Sequence, residues 1–137
     1  MINTAAVRDE GTTISYVPLA YPAVADRHVV DALARAAKKL GYNFAEGITH
    51  SKDAFYAEIE PDNMPNSDYV KSRWQAWERS NVMCSEMEAA AIFIVSSIRN
   101  CRASAVMAYK KVNLQAAMET AIEGLRILIE EDKKLGR

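Results

Sequence analysis

The amino-acid sequence predicts an α/β fold. Segments with the spacing of an amphipathic helix alternate along the chain with short apolar segments of strand length. The chain has 137 residues, which allows one domain, and half of its residues are apolar, which is enough for a buried core. We therefore expect a single domain over residues 1–137.

The chain opens on an apolar segment, residues 1–7, which predicts a buried strand. Residues 8–11 end in a glycine and favour a turn, and residues 12–17 alternate in part, so together they predict a hairpin-like excursion. A buried strand without a preceding turn or cap would pair with neighbouring strands. We therefore expect part of the complete fold to precede residue 1.

The first helix is predicted after Pro18 and Pro22, which interrupt regular structure. Asp26 is placed to cap this helix, and Gly41 is placed to end it. Its apolar positions follow the helical spacing i, i+3, i+4 and are Val29, Val30, Leu33, Ala37 and Leu40.

An interior strand is predicted over residues 44–49, followed by a loop over residues 50–65 that contains two prolines and no sustained period. Loops at strand ends in α/β proteins commonly carry ligand-binding residues. The next helix would be capped by Ser67 or Asp68. Its predicted core face consists of Val70, Trp74 and Trp77.

Two further helices and a strand complete the prediction. Residues 86–99 are apolar on nearly all sides, which predicts a buried helix that starts with two glutamates, where the helix dipole favours negative charge. Residues 103–109 predict a short strand, and residues 114–135 predict a long amphipathic helix. The predicted inner stripe of that helix consists of Met118, Ala121, Ile122, Leu125, Leu128 and Ile129.

Composition argues against several classes of protein. The net charge of −1 does not fit a basic nucleic-acid binder. The longest apolar run, residues 89–95, is much shorter than a membrane span requires. The two cysteines, Cys84 and Cys101, form no metal-ligand or disulfide pattern. We therefore expect a cytoplasmic chain with no metal, membrane or nucleic-acid partner.

Two acidic residues separated by one residue, Glu86 and Glu88, stand directly before an apolar run. One interpretation is that they only complement the dipole at a helix start. The other is that they bind a ligand, because an ionised carboxylate can accept hydrogen bonds from two vicinal sugar hydroxyls. The apolar run behind the pair favours ligand binding.

Adjacent aromatic residues, Phe55 and Tyr56, lie in the predicted loop after the interior strand. They would either cover the core or stack on a flat heteroaromatic ring, with a nearby carboxylate accepting from a ring N–H. Neither His28 nor His50 has an acid or nucleophile at a motif spacing, so no catalytic triad is predicted. The chain also has no glycine-rich phosphate loop.

Three motifs follow one another along the chain: Thr4-Ala5-Ala6-Val7-Arg8-Asp9-Glu10-Gly11-Thr12, Ser51-Lys52-Asp53-Ala54-Phe55-Tyr56 and Ser85-Glu86-Met87-Glu88-Ala89-Ala90-Ala91. In this order they resemble the uridine phosphorylase branch of the nucleoside phosphorylase family. The resemblance runs from residue 2 to about residue 108 and resumes over residues 114–134, which corresponds to the carboxy-terminal part of a family member. It implies a three-layer α/β fold with a central mixed sheet, of which residues 1–137 are a single partial domain with the amino-terminal part missing.

The resemblance implies a reversible reaction in which phosphate attacks C1′ of a ribonucleoside and releases the free base and ribose 1-phosphate. By motif match, Glu88 would hold the ribose 2′ and 3′ hydroxyls, Glu86 would assist there, and Met87 would pack on the sugar. Phe55 would stack against the base or sugar, and Glu58 would face the base. No residue is matched to an acid or base catalyst, and no cofactor is implied beyond phosphate as co-substrate.

The sequence departs from the family pattern at three places. The family's phosphate-binding glycine, arginines and threonine lie in a half that would precede residue 1. Family members carry glutamine where Glu58 aligns and histidine where Ile59 aligns; ionised glutamate only accepts hydrogen bonds, so a 6-oxopurine becomes an alternative to uracil. Finally, Tyr109, Lys110 and Lys111 pass almost directly into the last helix, where family members have a longer segment.

The resemblance therefore predicts a nucleoside phosphorylase, most like a uridine phosphorylase, with a nucleoside and phosphate as its small-molecule partners. A homo-oligomer is also implied, because family members share active-site residues between subunits. Two alternatives stay open. One is a nucleosidase in which water replaces phosphate, and the other is a catalytically inactive family member that binds nucleoside or associates with a partner subunit.

Overall fold

The computed structural model describes residues 1–109 and 113–136 and has α/β architecture, as predicted. Lys110 and Lys111, in the short segment after Tyr109, lie outside the described residues. The strands are β1 (Ile2–Asp9), β2 (Ala23–Val24), β3 (Glu46–Lys52), β4 (Val82–Glu86) and β5 (Ala105–Val106). The helices are α1 (Arg27–Lys39), α2 (Phe55–Ile59), α3 (Ser67–Arg79), α4 (Ala89–Ile98) and α5 (Leu114–Lys134), and 3₁₀ turns occupy Thr13–Ser15 and Pro61–Asn63.

The five described strands form one mixed sheet, which confirms that prediction. Strand β3 lies between β1 and β4 and pairs in parallel with both, whereas β2 and β5 pair antiparallel with β1. Because β1, β3 and β4 run in the same direction, their carboxyl ends meet at one edge of the sheet. This edge carries the candidate site.

The core lies where α1 and α4 cover the sheet. Ala6 of β1 packs with Ala90, Phe93 and Ile94 of α4 in one buried cluster. A second cluster joins Ile2, Leu33 and Ala34, of which the last two belong to α1. The interior is therefore built from small and branched apolar side chains, which allow helix and sheet to approach closely.

Helix α1 forms as predicted, because its signals are local. The Asp26 carboxylate accepts hydrogen bonds from the backbone N–H groups of His28 and Val29, as an N-cap should. Gly41 follows the last turn with a φ of 75°, a backbone conformation that favours glycine.

Strand β4 was not predicted, and the helix after it starts at Ala89 rather than at residue 86. Residues 82–86 end in polar side chains, but they pair with β3, and this long-range pairing decides their conformation. The prediction that α4 is buried on nearly all sides is also wrong, because Ile92 and Ile98 are exposed in this chain.

Residues 12–17 do not form an extended segment. Instead, they turn around the carboxylate of Glu10, which accepts from the backbone N–H groups of Thr12 and Thr13. The Arg8 guanidinium donates to backbone carbonyls farther along, including those of Val17 and Pro18. The chain then enters β2, which pairs antiparallel with β1. The hairpin-like arrangement is therefore present, but its second strand is β2 and not residues 12–17.

The predicted loop over residues 50–65 is structured. Strand β3 starts two residues later than predicted and extends to Lys52, since its polar end is paired on both sides. Helix α2 and a 3₁₀ turn follow, and α3 begins after Asn66, so neither Ser67 nor Asp68 is its cap. Strand β5 is shorter than predicted.

The inner stripe predicted for α5 is mostly wrong. Met118, Ile122, Leu125 and Ile129 are exposed in this chain, whereas Leu128 is buried. The helix packs on α1 through a narrower face that contains Thr120 and Gly124. A Cβ at Gly124 would lie 2.9 Å from Leu33 Cδ2, so close approach of the two helices selects this face rather than the most apolar one.

Within residues 1–109 and 113–136, no helix combines the length and the apolar character that a membrane span requires.

Candidate functional site

The candidate site lies at the carboxyl ends of the three parallel strands, which is where α/β sheets commonly bind ligands. At this edge Asp9 is paired with Lys52, and Ser51 is paired with Glu86. His50 is paired with Ser85 in the same ladder. Strand β3 therefore carries side chains that reach both toward α4 and toward α3.

Glu86 is fully engaged within the chain. One oxygen of its carboxylate accepts from Thr49 Oγ1 at 3.2 Å and Ser51 Oγ at 2.5 Å. The other oxygen accepts from the backbone N–H groups of Glu88 and Ala89, each at 2.6 Å. Glu86 therefore caps the start of α4 and ties it to β3, which fits the helix-start interpretation for this one residue.

Glu88 and Met87 are exposed beside it. Among the described residues, the Glu88 carboxylate accepts one hydrogen bond, from the Met87 backbone N–H at 3.1 Å. Its remaining acceptor capacity faces solvent, where a carboxylate can accept from two neighbouring hydroxyls. The two glutamates of the motif thus have different environments. The Glu86 carboxylate accepts hydrogen bonds from four donors of the chain, whereas the Glu88 carboxylate can still accept hydrogen bonds from a ligand.

Phe55 lies at the start of α2 and is about half exposed. Its ring meets that of Tyr56 edge-on, with centroids 5.3 Å apart, and Tyr56 is more exposed still. The interpretation that these two rings cover the core is therefore wrong for this chain. An exposed aromatic face is available to stack on a planar ligand.

Glu58 points inward, into a cavity of about 210 Å³ between α2 and α3 that Trp74 and Trp77 also line. Its Oε2 lies 4.0 Å from His50 Nδ1 and has no hydrogen-bond partner within the described part of the chain. Burial raises the pKa of Glu58, against the opposing attraction of His50 and Lys52. This carboxylate is therefore poised to gain from a ligand that donates an N–H.

The structure brings the two halves of the predicted site together through neighbouring residues of β3. Ser51 holds Glu86, while His50 faces Glu58. Glu86 and Glu58 are therefore both in contact with the carboxyl end of the same strand.

A buried polar array at this edge was not predicted from the sequence. His50 is 1% exposed, with Nε2 2.8 Å from Asp9 Oδ2 and Nδ1 3.3 Å from Ser85 Oγ. Asp9 also forms an ion pair with Arg73 of α3. The Trp74 and Trp77 rings lie against the imidazole, at 5.5 Å and 5.8 Å between centroids.

These residue types resemble a hydrolytic triad, but the arrangement does not fit one. The ring nitrogens are reversed, because Nε2, which faces the nucleophile in such a triad, is 2.8 Å from Asp9, and Nδ1 faces Ser85. We therefore interpret the array as a scaffold that fixes the ends of β1, β3 and β4. The separation of its members along the chain left no motif that would have found it.

No group of three or more histidine, cysteine, aspartate or glutamate side chains suited to a metal ion occurs among residues 1–109 and 113–136.

The raised pKa of Glu58 predicts a pH dependence of stability. Because burial keeps this carboxyl protonated to higher pH in the folded state than in the unfolded state, its favourable contribution is present at low pH. It is lost as the pH rises from about 4, the unfolded value, through the higher folded pKa. Glu58→Gln is neutral throughout this range. As the pH rises from about 4 to 7, we therefore expect its free energy of unfolding to increase relative to that of the unaltered chain.

Urea unfolding at both pH values measures this difference. The exposed neighbour Glu60 provides the matched control, because Glu60→Gln alters the same charge without removing a buried group. A stability difference between Glu58→Gln and the unaltered chain that stays constant with pH would contradict the prediction.

The chain is similar in sequence to known proteins. The family model described as the phosphorylase superfamily matches residues 1–128. A uridine phosphorylase of Treponema pallidum (strain Nichols) is 35% identical over 96% of the chain, and one of Thermococcus kodakarensis is 35% identical over 100% of it. A guanosine phosphorylase of Halorubrum lacusprofundi is 32% identical over 77% of the chain. The chain spans about half of the two uridine phosphorylases, 57% and 53% of their lengths, and 39% of the guanosine phosphorylase.

Proposed function

Because the chain belongs to the phosphorylase superfamily, we propose that it serves the phosphorolysis of a ribonucleoside. In this reaction a phosphate oxygen bonds to C1′, the bond from C1′ to the base nitrogen breaks, and its electron pair leaves with the base. The products are the free base and ribose 1-phosphate. Relatives that are named uridine phosphorylases support uridine as the first substrate to test.

The observation that carries the proposal is the contrast between Glu86 and Glu88. Glu86 is saturated by four internal donors and anchors the start of α4, so that Glu88 is presented at the carboxyl edge of the sheet with acceptor capacity to spare. An open carboxylate on a rigid support suits the 2′ and 3′ hydroxyls of ribose. Met87, exposed between them, would pack on the sugar.

The carboxylate would also assist the chemistry. The sugar gains positive charge as the bond to the base breaks, because the transition state is like an oxocarbenium ion. A negative group held next to the ribose stabilises that charge without moving, since Glu86 and β4 hold it in position. Phe55 would stack against the base and hold it in line with the bond that breaks.

A second candidate is a nucleoside-binding chain that lacks turnover by itself or acts with a partner subunit. It is favoured because two arginines at this edge already interact with other groups of the chain. Arg8 donates to backbone carbonyls, and Arg73 is paired with Asp9. Phosphate would then depend on cations other than these two arginines, for instance on those of another copy in a homo-oligomer.

The test is chromatographic detection of free base from uridine, and from inosine or guanosine, with the purified chain in the presence and absence of phosphate. Release that depends on phosphate is the expected result. Release without phosphate would instead indicate a nucleosidase, in which water replaces phosphate. Binding of nucleoside without any release would support the second candidate, and the lack of both would overturn the proposal.

A further inference from the structure

Helix α5 carries an exposed apolar stripe along its outer face. The members of this stripe recur every three or four residues, so they share one side of the helix, and they are Leu114, Met118, Ile122, Leu125 and Ile129. Each of them is 50–58% exposed. The face of α5 that packs on α1 contains Thr120 and Gly124 and lies on nearly the opposite side of the helix. The stripe therefore points away from the body of the chain.

The stripe is large enough to form an interface. Contiguous apolar patches of about 300–600 Å² on a monomer are often functional, and five large side chains that are each at least half exposed reach this range. An interface of standard size buries about 800 Å² on each partner, of which a little more than half is apolar. The stripe can therefore supply the apolar part of one side of such an interface.

The spacing of the stripe suits an antiparallel copy of the same helix. Its last four members are separated by four, three and four residues, so the spacing is the same when it is read from either end. This is also the spacing of the apolar seam in a coiled coil. A two-fold axis between Ile122 and Leu125 would place these two residues opposite each other in the two copies. The same axis would place Met118 of one copy opposite Ile129 of the other.

Two charged residues beside the stripe favour the antiparallel arrangement. Glu119 and Arg126 are seven residues apart, which is about two helical turns, so they flank the same side of the stripe, one before its middle and one after it. The two-fold axis brings Glu119 of each copy next to Arg126 of the other, which gives two pairs of opposite charge. In a parallel pair the positions that face these charges are Ala121 and Leu128, which offer them no partner. A hydrogen bond from Tyr42 lowers the pKa of Glu119 and keeps it charged.

We propose that the exposed stripe of α5 is an interface between two antiparallel copies of this chain. A lipid surface fits the stripe less well, because a helix that lies on anionic lipid carries mainly basic residues beside its apolar face. Here Glu119 and Glu130 accompany Arg126. The inference does not depend on the proposed function, since no member of the stripe belongs to the candidate site.

Sedimentation equilibrium of the 137-residue chain at several concentrations, without nucleoside, measures this association. We expect an equilibrium between monomer and dimer with a dissociation constant in about the micromolar range, which is the weak end for interfaces of standard size. No larger species is expected, because a two-fold contact closes on itself.

Ile122→Glu places a charge in the middle of the stripe. It should raise the dissociation constant of the dimer by about 100-fold or more, because the carboxylate would be buried without a partner. The monomer should keep its fold, since this side chain is half exposed in the single chain, and urea unfolding at a concentration where the unaltered chain is monomeric checks this. The matched control is Ile14→Glu, at an isoleucine of similar exposure in the first 3₁₀ turn, which should leave the dimer unchanged.

Reversing the two charges tests the orientation of the copies. Arg126→Glu and Glu119→Arg should each weaken the dimer of their own variant, because each brings like charges together twice. A mixture of the two variants should form a heterodimer about tenfold or more tighter than either homodimer, since both pairs are then of opposite charge. Glu119→Arg also loses the hydrogen bond from Tyr42, so its fold is checked by urea unfolding, and the weaker dimer of Arg126→Glu stands as a separate measurement.

Three results would overturn the proposal. A chain that stays monomeric at every concentration would leave the stripe to a different polypeptide. A dimer that Ile122→Glu leaves intact would place the interface on another face. A mixture of the two charge variants with no preference for the heterodimer would exclude the antiparallel arrangement.

Discussion

Replacing Glu88 with alanine is expected to weaken uridine binding by about 100- to 10,000-fold while leaving the fold intact. Hydrogen bonds to a charged group contribute about 1.5–3 kcal/mol each, and an open carboxylate would accept two of them from the ribose. The stability of the variant should stay within about 0.5 kcal/mol of the unaltered chain, because the Glu88 side chain is exposed and makes no capping bond to α4. Equilibrium titration with uridine and urea unfolding measure the two effects.

Removing one hydroxyl from the ligand tests the contact with Glu88 more specifically than a second protein variant does. 2′-Deoxyuridine lacks one of the two hydroxyls, so it should bind the unaltered chain about tenfold or more weakly than uridine. Against Glu88→Ala the two nucleosides should bind alike, because the acceptor is gone. Glu130→Ala, at an exposed glutamate of α5, should behave as the unaltered chain. Equal loss of both nucleosides on Glu88→Ala, with their ratio preserved, would show that Glu88 does not contact the 2′ hydroxyl.

The different roles of the two glutamates could not be predicted from the sequence. A pattern of two acids before an apolar run is visible locally, and so is its resemblance to a family motif. The saturation of Glu86 depends on Thr49 and Ser51, which lie 37 and 35 positions away and reach it only because β3 and β4 pair. Side-chain roles of this kind are set by the sheet register, which no local spacing encodes.

The helices and strands show the same contrast: some are determined by local sequence signals and others by long-range contacts. Helix α1 was predicted closely because its cap at Asp26 and its end at Gly41 are local signals. Strand β4 was missed because its pairing with β3 outweighs the weak strand propensity of its polar end. The face of α5 was mostly mistaken because the fit of Gly124 against Leu33, rather than apolar content, decides how the helix packs on α1.

The array around His50 is the clearest case in which the sequence could not predict the site. Asp9 and His50 are 41 positions apart, and Asp9 and Arg73 are 64 apart, so their contacts follow from the tertiary fold alone. From the sequence, His50 could be described only as a histidine with no acid or nucleophile at a motif spacing. Lys52 lies inside one of the resembling motifs, yet its burial between Phe55 and Trp74 could not be predicted without α2 and α3.

Replacing Glu86 with alanine is expected to lower the free energy of unfolding by about 2–4 kcal/mol, the largest stability effect at this edge. The substitution leaves two backbone N–H groups at the start of α4 and two hydroxyls of β3 without their acceptor. Loss of a helix cap costs about 0.5–2 kcal/mol, and a partly buried donor left unpaired adds about 1–3 kcal/mol. The urea midpoint should fall without a change in slope.

Two matched variants separate this effect from a general loss of charge. Glu86→Gln keeps an acceptor for the backbone N–H groups and an amide that can donate to the hydroxyls, so it should retain more than half of the lost stability. Glu88→Ala removes the same charge two residues away and should cost almost nothing. If Glu86→Ala were as stable as Glu88→Ala, the anchoring role of Glu86 would be wrong, and its carboxylate would have to be counted with Glu88 among the groups free to bind ribose.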